Sequence, residues 1–144
     1  MTVKSITPYL MFDGTAEQAI ELYQKALGAK VDGDIMRFED APGEGGRSQP
    51  SDARRVLHAQ LRIGNAVLML SDGSSAHPPP KASNTHVSLE FDDVDEMAKS
   101  FDLLAAGGGK VTMALHDAFW GARFGMLTDA FGIHWMFNCE LKKG

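Results

Sequence analysis

Hydrophobic positions in the first part of the chain follow two different periods. The short apolar and aromatic run at 6–12 predicts a strand. Over 16–27 the apolar residues recur every three or four positions, which predicts a helix with one buried face. Thr15 and Gln18 stand three residues apart at its start, the spacing of a capping box. Another apolar stretch, at 30–38, predicts the next strand.

Polar stretches separate this region from the rest of the chain. Residues 39–55 are rich in glycine, proline, serine and charge, which predicts a mobile loop. Two apolar runs then flank Gly64-Asn65, a hairpin signal. Residues 73–84 contain three consecutive prolines and predict an extended linker.

After the linker the pattern of elements starts again. The spacing from Pro8 to Thr15 equals the spacing from His86 to Asp93, so the predicted strand and the start of the predicted helix are equally far apart in both halves. The predicted order is strand, helix, strand and hairpin, at 86–91, 94–106, 110–115 and 123–141. The chain therefore contains two copies of one βαβββ unit.

We predict one α+β domain spanning 1–144, built from two modules. Module one covers about 1–72 and module two about 85–144. Alternation along the first strand of module two places the side chains of His86 and Glu90 on one face, and alternation along its last strand places that of His134 on the corresponding face. On the first strand it separates Tyr9 and Met11, expected to pack on a helix, from Leu10 and Phe12, expected to face a cavity.

Composition excludes several functional classes. The formal net charge is −5, and no basic surface for nucleic acid is evident. No apolar run reaches the roughly 20 residues that a membrane helix needs, and no signal peptide is read. Cys139 is the single cysteine, so a disulfide within the chain is impossible, which suits the reducing cytoplasm.

Three segments carry a family resemblance. They are PYLMFDGTAEQAIELYQKALGA, LHAQLRIGNAVLMLSD and FWGARFGMLTDAFGIHWMFN. Together with the duplicated unit, they resemble PhnB-like proteins of the vicinal oxygen chelate superfamily, which includes glyoxalase I, bleomycin-resistance proteins and extradiol dioxygenases. The resemblance implies half-barrel sheets with helices on the outer face and a homodimer around a small-molecule cavity.

The resemblance also implies where a metal ion would bind in metal-dependent relatives. Ligands there come from the first and last strands of each unit. The corresponding positions here include Pro8, His86 and Met136, of which only His86 is a strong ligand for a hard divalent ion. A catalytic site usually needs three protein ligands. We therefore expect no obligatory metal, with a rebuilt divalent site of His86, Glu90 and His134 as the alternative.

Three functional hypotheses remain open from the sequence. The first is a cytoplasmic, homodimeric small-molecule-binding protein without a cofactor. The second is a metal-dependent isomerase, lyase or dioxygenase, and the third is a dimeric scaffold whose cavity is filled. For the first hypothesis, Trp120 and Arg123 can clasp a flat or anionic ligand. The predicted pocket residues are Phe12, His86, Glu90, Trp120, Arg123 and His134.

Overall fold

The computed structural model describes residues 2–41 and 50–142, in two compact units, Met1–Pro80 and Lys81–Gly144. Each unit has one α-helix and one mixed sheet, so the α+β class is confirmed. The first and last strands of each unit pair in parallel, and the remaining pairs in each sheet are antiparallel. The two units therefore share one topology.

The first unit forms a sheet with strand order β1-β5-β4-β2, and β3 also pairs with β4. Short 3₁₀ turns cover Phe38–Asp40 and Pro50–Asp52. Its elements are β1 (Tyr9–Met11), α1 (Ala16–Leu27), β2 (Lys30–Val31), β3 (Met36–Arg37), β4 (Val56–Ile63) and β5 (Ala66–Ser71).

The second unit forms a four-stranded sheet with order β6-β9-β8-β7. Two register shifts interrupt the pairing of β7 with β8, on either side of Met113. Its elements are β6 (His86–Phe91), α2 (Val94–Ala106), β7 (Lys110–Asp117), β8 (Ala122–Thr128) and β9 (His134–Glu140).

The helix of the second unit buries one face of its sheet. Phe101 of α2 meets the ring of Phe137 edge-on, with the ring centroids 5.1 Å apart. Trp135 and Phe137 are fully buried, together with Met97 and Leu104 of the helix. Burying an aromatic or aliphatic side chain contributes roughly 1.5–3 kcal/mol, so this layer holds β8 and β9 in place.

The two helices begin differently. Thr15 is the N-cap of α1 but makes no side-chain capping bond, so the predicted capping box with Gln18 is wrong. Instead the buried carboxylate of Asp72 accepts a hydrogen bond from the backbone N–H of Ala16 at 2.9 Å. At the start of α2 the side chain of Asp93 is itself the cap, because it accepts hydrogen bonds from two backbone N–H groups of the first turn.

Two strand predictions need correction. The predicted strand at 30–38 is two short strands, β2 and β3, separated by a turn in which Gly33 has a φ of 84°. On β1 the faces are reversed: Tyr9 and Met11 are exposed by 46% and 43%, so they do not pack on a helix. Phe12, immediately after β1, is instead buried.

The predicted loop at 39–55 lies partly outside the described residues, because 42–49 are not described. Its described ends contain the two 3₁₀ turns. Neither helix found at 2–41 and 50–142 has the length and apolar character of a membrane span.

The turn between β8 and β9 is held by the buried side chain of Asp129. One carboxylate oxygen accepts hydrogen bonds from the backbone N–H groups of Phe131 and Ile133, at 2.9 and 3.0 Å. The other accepts a bond from the indole Nε1–H of Trp135 at 2.8 Å. Gly132 completes the turn with a φ of 90°, a conformation that favours glycine. The motif Asp-x-Phe-Gly-x-x-Trp is therefore a structural lock that fixes the register of this hairpin.

Candidate functional site

The face of the second unit's sheet turned away from α2 carries the strongest candidate site. We call it the open face. On β6 its residues are His86, Ser88 and Glu90, all exposed, whereas the alternate residues Val87 and Leu89 are half-buried. The parallel register pairs these three residues with His134, Met136 and Asn138 of β9. The predicted sharing of one face is thus confirmed, and the residues form rows across the sheet.

The first row contains two histidines, a threonine and, on β7, Lys110, the register partner of Thr128. The rings of His86 and His134 are stacked, with centroids 5.0 Å apart and an interplanar angle of 29°. The Nδ1 atom of His134 lies 2.8 Å from Oγ1 of Thr128, its partner on β8. This contact orients the His134 ring and leaves its Nε2 edge as the second hydrogen-bonding position.

The second row is formed mainly by methionines. Met136 pairs with Ser88 on one side and Met126 on the other, and Met126 pairs with Met113. Met113 is exposed, and Met126 and Met136 are half-buried. Unbranched thioether side chains adapt to ligand shape. The row therefore provides a deformable apolar floor.

The third row contains a carboxylate that a neighbouring amide orients. Nδ2 of Asn138 lies 3.0 Å from each carboxylate oxygen of Glu90. Oδ1 of the same amide accepts a 3.4 Å hydrogen bond from Nε1–H of Trp120. Asn138 thus joins the carboxylate to the indole, so Glu90 is oriented although it is exposed.

Aromatic rings border this third row. The rings of Trp120 and Phe124 are 5.4 Å apart at 72°, and Phe124 is the register partner of Asn138. Phe119 meets Trp120 at 5.2 Å, and His116 meets Phe124 at 6.4 Å. Phe119 and Trp120 are 97% and 52% exposed. A group of aromatic faces with this exposure can contact a ligand.

Two predicted pocket residues are not part of the open face. Arg123 is the register partner of the buried Cys139, which places it on the α2 side of the sheet. Its Nε–H donates to Asp117 at 2.8 Å, and this hydrogen bond and charge raise the pKa of the guanidinium. Trp120 and Arg123 therefore do not form the expected clasp. Phe12 belongs to the first unit, where it is a buried core residue.

The histidine pair and the carboxylate occupy different rows of the open face. Glu90 is four residues from His86 on one strand, which corresponds to about 13 Å. Among the residues 2–41 and 50–142, no three His, Cys, Asp or Glu side chains are grouped so that they could hold a metal ion. His86, Glu90 and His134 therefore share a face without forming one ligand set.

Sequence reasoning missed three kinds of site residue. Asn138 was detectable from alternation, since it shares parity with His134 on the same strand, whereas Phe124 was not, because the predicted pocket residue on its strand was the neighbouring Arg123. Met113 was not, because the register shifts in β7 break that parity. In the first unit, Tyr9 Oη lies 2.8 Å from Nδ1 of His58, a histidine that the sequence did not single out as functional. Burial raises the pKa of this tyrosine.

A separate cavity of about 380 Å³ lies in the first unit, at the N-terminus of α1. Arg37, Arg54 and Arg55 contribute to its lining, but each makes an ion pair with a carboxylate of the same unit. The guanidinium groups are thus already neutralised locally. We assign the candidate site to the open face, where an ordered carboxylate lies beside aromatic rings.

Comparisons with known proteins agree with this architecture. The family model described as Glyoxalase/Bleomycin resistance protein/Dioxygenase superfamily matches residues 5–137. Protein YjdN of Escherichia coli (strain K12) is 37% identical over 143 residues, covering 92% of this chain and 93% of that protein.

Solved structures show the same relationship. The crystal structure of protein PA1353 from Pseudomonas aeruginosa is 37% identical, with a TM-score of 0.83, covering 97% of this chain and 100% of that one. The PhnB protein from Bacillus cereus, at 24% identity and a TM-score of 0.75, shares the fold over 94% of this chain and 99% of its own. The chain belongs to the glyoxalase/bleomycin resistance protein/dioxygenase superfamily.

Proposed function

We propose that this chain is a PhnB-like small-molecule-binding protein whose ligand contacts the open face of the second unit. The observation that carries the proposal is the connected set Glu90, Asn138 and Trp120. Exposed polar side chains usually sample several rotamers, and holding them costs entropy. Here one amide orients a carboxylate and an indole at once, so part of the ordering that a ligand requires is already present.

The apolar part of the open face supports the same function. Ligand sites combine apolar and aromatic surface with a few placed polar groups. The methionine row and the rings of Trp120 and Phe124 provide the apolar and aromatic surface. Glu90 and His134 provide the placed polar groups. We propose a homodimer acting in the cytoplasm, without an obligatory metal. The absence of a three-residue ligand set among the described residues supports the last point.

A fragment screen tests the binding function. The chain contains two tryptophans, Trp120 on the open face and the fully buried Trp135. Their indole N–H groups should give two separate NMR signals, which Trp120→Phe assigns. We expect several fragments to shift the Trp120 signal, with Trp135 unchanged, and to raise the melting temperature. A library with no fragment acting on Trp120 would contradict the proposal.

Metal analysis tests the cofactor part separately. Protein purified without chelator should contain substoichiometric metal, and EDTA should leave fragment affinities unchanged. Stoichiometric metal whose loss accompanies His86→Ala or His134→Ala would favour the metal-dependent enzyme instead. Sedimentation at several concentrations measures the dimer, and a monomer at all of them would contradict that part.

A further inference from the structure

We propose that the ligand of the open face is an organic cation, bound with its charge between Glu90 and the aromatic rings and its apolar body over the methionine row. This inference rests on the proposed binding function and adds the chemical class of the ligand. On the open face, Asn138 orients the carboxylate of Glu90, which forms no ion pair within the described residues.

The arginines of the described residues are all engaged elsewhere. Arg37, Arg54, Arg55, Arg62 and Arg123 each form an ion pair with an aspartate or glutamate. None of these pairs involves Glu90, and within 2–41 and 50–142 no other ion pair reaches it. The open face therefore offers a carboxylate in its third row and no free guanidinium, while the ammonium group of Lys110 lies in the first row, two rows from Glu90.

The spacing of the third row suits a cation of molecular size. Neighbouring strands are about 4.8 Å apart, so Glu90 on β6 and Phe124 on β8 are separated by about 10 Å, with Asn138 between them. A cation above Asn138 would lie about one strand spacing, about 5 Å, from the strands of Glu90 and of Phe124. The indole Nε1 of Trp120 is 3.4 Å from Oδ1 of the same Asn138. Cation–π attraction acts within about 6 Å of a ring centroid.

The rest of the ligand can be placed in outline. The methionine row is two residues along β9 from Asn138, which corresponds to about 7 Å. An apolar body attached to the cation would reach Met136 and Met126. A ligand with a charged end and a flat or branched carbon body fits this arrangement, whereas a phosphate or carboxylate end would meet the negative charge of Glu90.

A pair of probes of the same shape tests the charge. Phenyltrimethylammonium carries a quaternary nitrogen, and tert-butylbenzene has carbon in its place. We expect the cation to shift the indole signal of Trp120 with a Kd at least about tenfold lower than the neutral probe, since carboxylate and ring attraction both act on the charge. The preference should weaken as salt rises.

Matched variants assign the effect to residues. Glu90→Gln keeps the side-chain size and removes the charge, and should reduce the preference for the cation to about threefold or less. Asp102→Asn removes one charge from an exposed position of α2, on the other side of the sheet, and should leave the preference unchanged. An unchanged Trp135 signal in each variant shows that the fold is intact.

The outcomes separate the two proposals. Equal affinity of the two probes at Trp120 overturns the cation inference and leaves the binding function standing. The same holds if neither probe shifts Trp120 while fragments of the screen do so. If neither the probes nor the fragments act on Trp120, both proposals fall.

Discussion

Removing the carboxylate of Asp129 should destabilise the second unit more than any surface change. The side chain is 4% exposed and accepts three hydrogen bonds. Asp129→Ala leaves three donors without their acceptor. The backbone N–H groups of Phe131 and Ile133 belong to half-buried residues, so water can replace part of the loss, and we count about 1 kcal/mol for each. The indole of Trp135 is fully buried, so the loss of the acceptor for its N–H costs about 2–3 kcal/mol.

These terms give an expected loss of about 4–5 kcal/mol in the free energy of unfolding, a large part of the 5–15 kcal/mol typical of a domain. Urea denaturation measures it from the shift of the midpoint at constant m-value. Asp93→Ala is the control, because it removes an exposed cap with two similar bonds and should cost only about 1 kcal/mol.

A double-mutant cycle isolates the bond to the indole. Trp135→Phe removes the N–H and keeps a buried ring, and Asp129→Asn presents an amide in place of the carboxylate. We expect a coupling energy of about 1–2 kcal/mol between them. A loss below about 1 kcal/mol for Asp129→Ala, or no coupling in the cycle, would refute the description of this turn as a lock.

Three further tests address other parts of the structure by denaturation or reactivity. Asp72→Ala should lower the free energy of unfolding by about 2 kcal/mol, because the carboxylate caps α1 and also accepts a hydrogen bond from the N–H of Val56. Thr15→Ala should cost less than about 0.5 kcal/mol because that side chain makes no capping bond, and the reverse order would contradict the assignment. Cys139 is buried, and burial raises the pKa of its thiol. It should therefore react with a disulfide reagent only after unfolding, and prompt reaction of the folded protein would show an accessible thiolate. Gly109→Ala would place Cβ 2.9 Å from a backbone oxygen and should lower the free energy of unfolding by about 2–3 kcal/mol. Gly64→Ala, where nothing lies near the added Cβ, should lower it by about 1 kcal/mol, and equal losses would argue against the close approach at Gly109.

Local sequence signals predicted the elements well and their long-range contacts poorly. The helix at 16–27 was predicted with its observed bounds because its apolar period is local. Its cap was not, since Thr15 has the right residue type but Asp72, distant in sequence, makes the bond. The strand at 30–38 was overextended, because apolar composition does not reveal where Gly33 turns the chain.

The candidate site shows the same division. Alternation along β6 and β9 correctly grouped His86, Glu90 and His134 on one face, because the period of a strand is a local property. Alternation along β8 also places Arg123 on the face of the sheet that Phe124 does not occupy. Residue chemistry alone had suggested that Arg123 and Trp120 bind a ligand together. Which row each residue occupies depends on pairing between strands distant in sequence, and no single-strand pattern contains that information.

Asp32 of the first unit and Glu90 of the second are exposed carboxylates with different partners, and this difference suggests a final test. In the first unit, hydrogen bonds from Gln60 and Arg62 to Asp32 lower the pKa of its carboxyl group. In the second, Glu90 has the amide of Asn138 and no arginine. Asn138→Arg should therefore supply an internal cation to Glu90 and reproduce the arrangement of the first unit.

An arginine at position 138 would occupy the space where we place the ligand's charge. We expect Asn138→Arg to abolish the preference for phenyltrimethylammonium over tert-butylbenzene, measured by the indole signal of Trp120. Asn138→Leu, which also removes the amide but adds no charge, should retain a preference of about threefold or more, because Glu90 and the rings remain. If the arginine variant still preferred the cation, the charge of Glu90 would not be what selects the ligand.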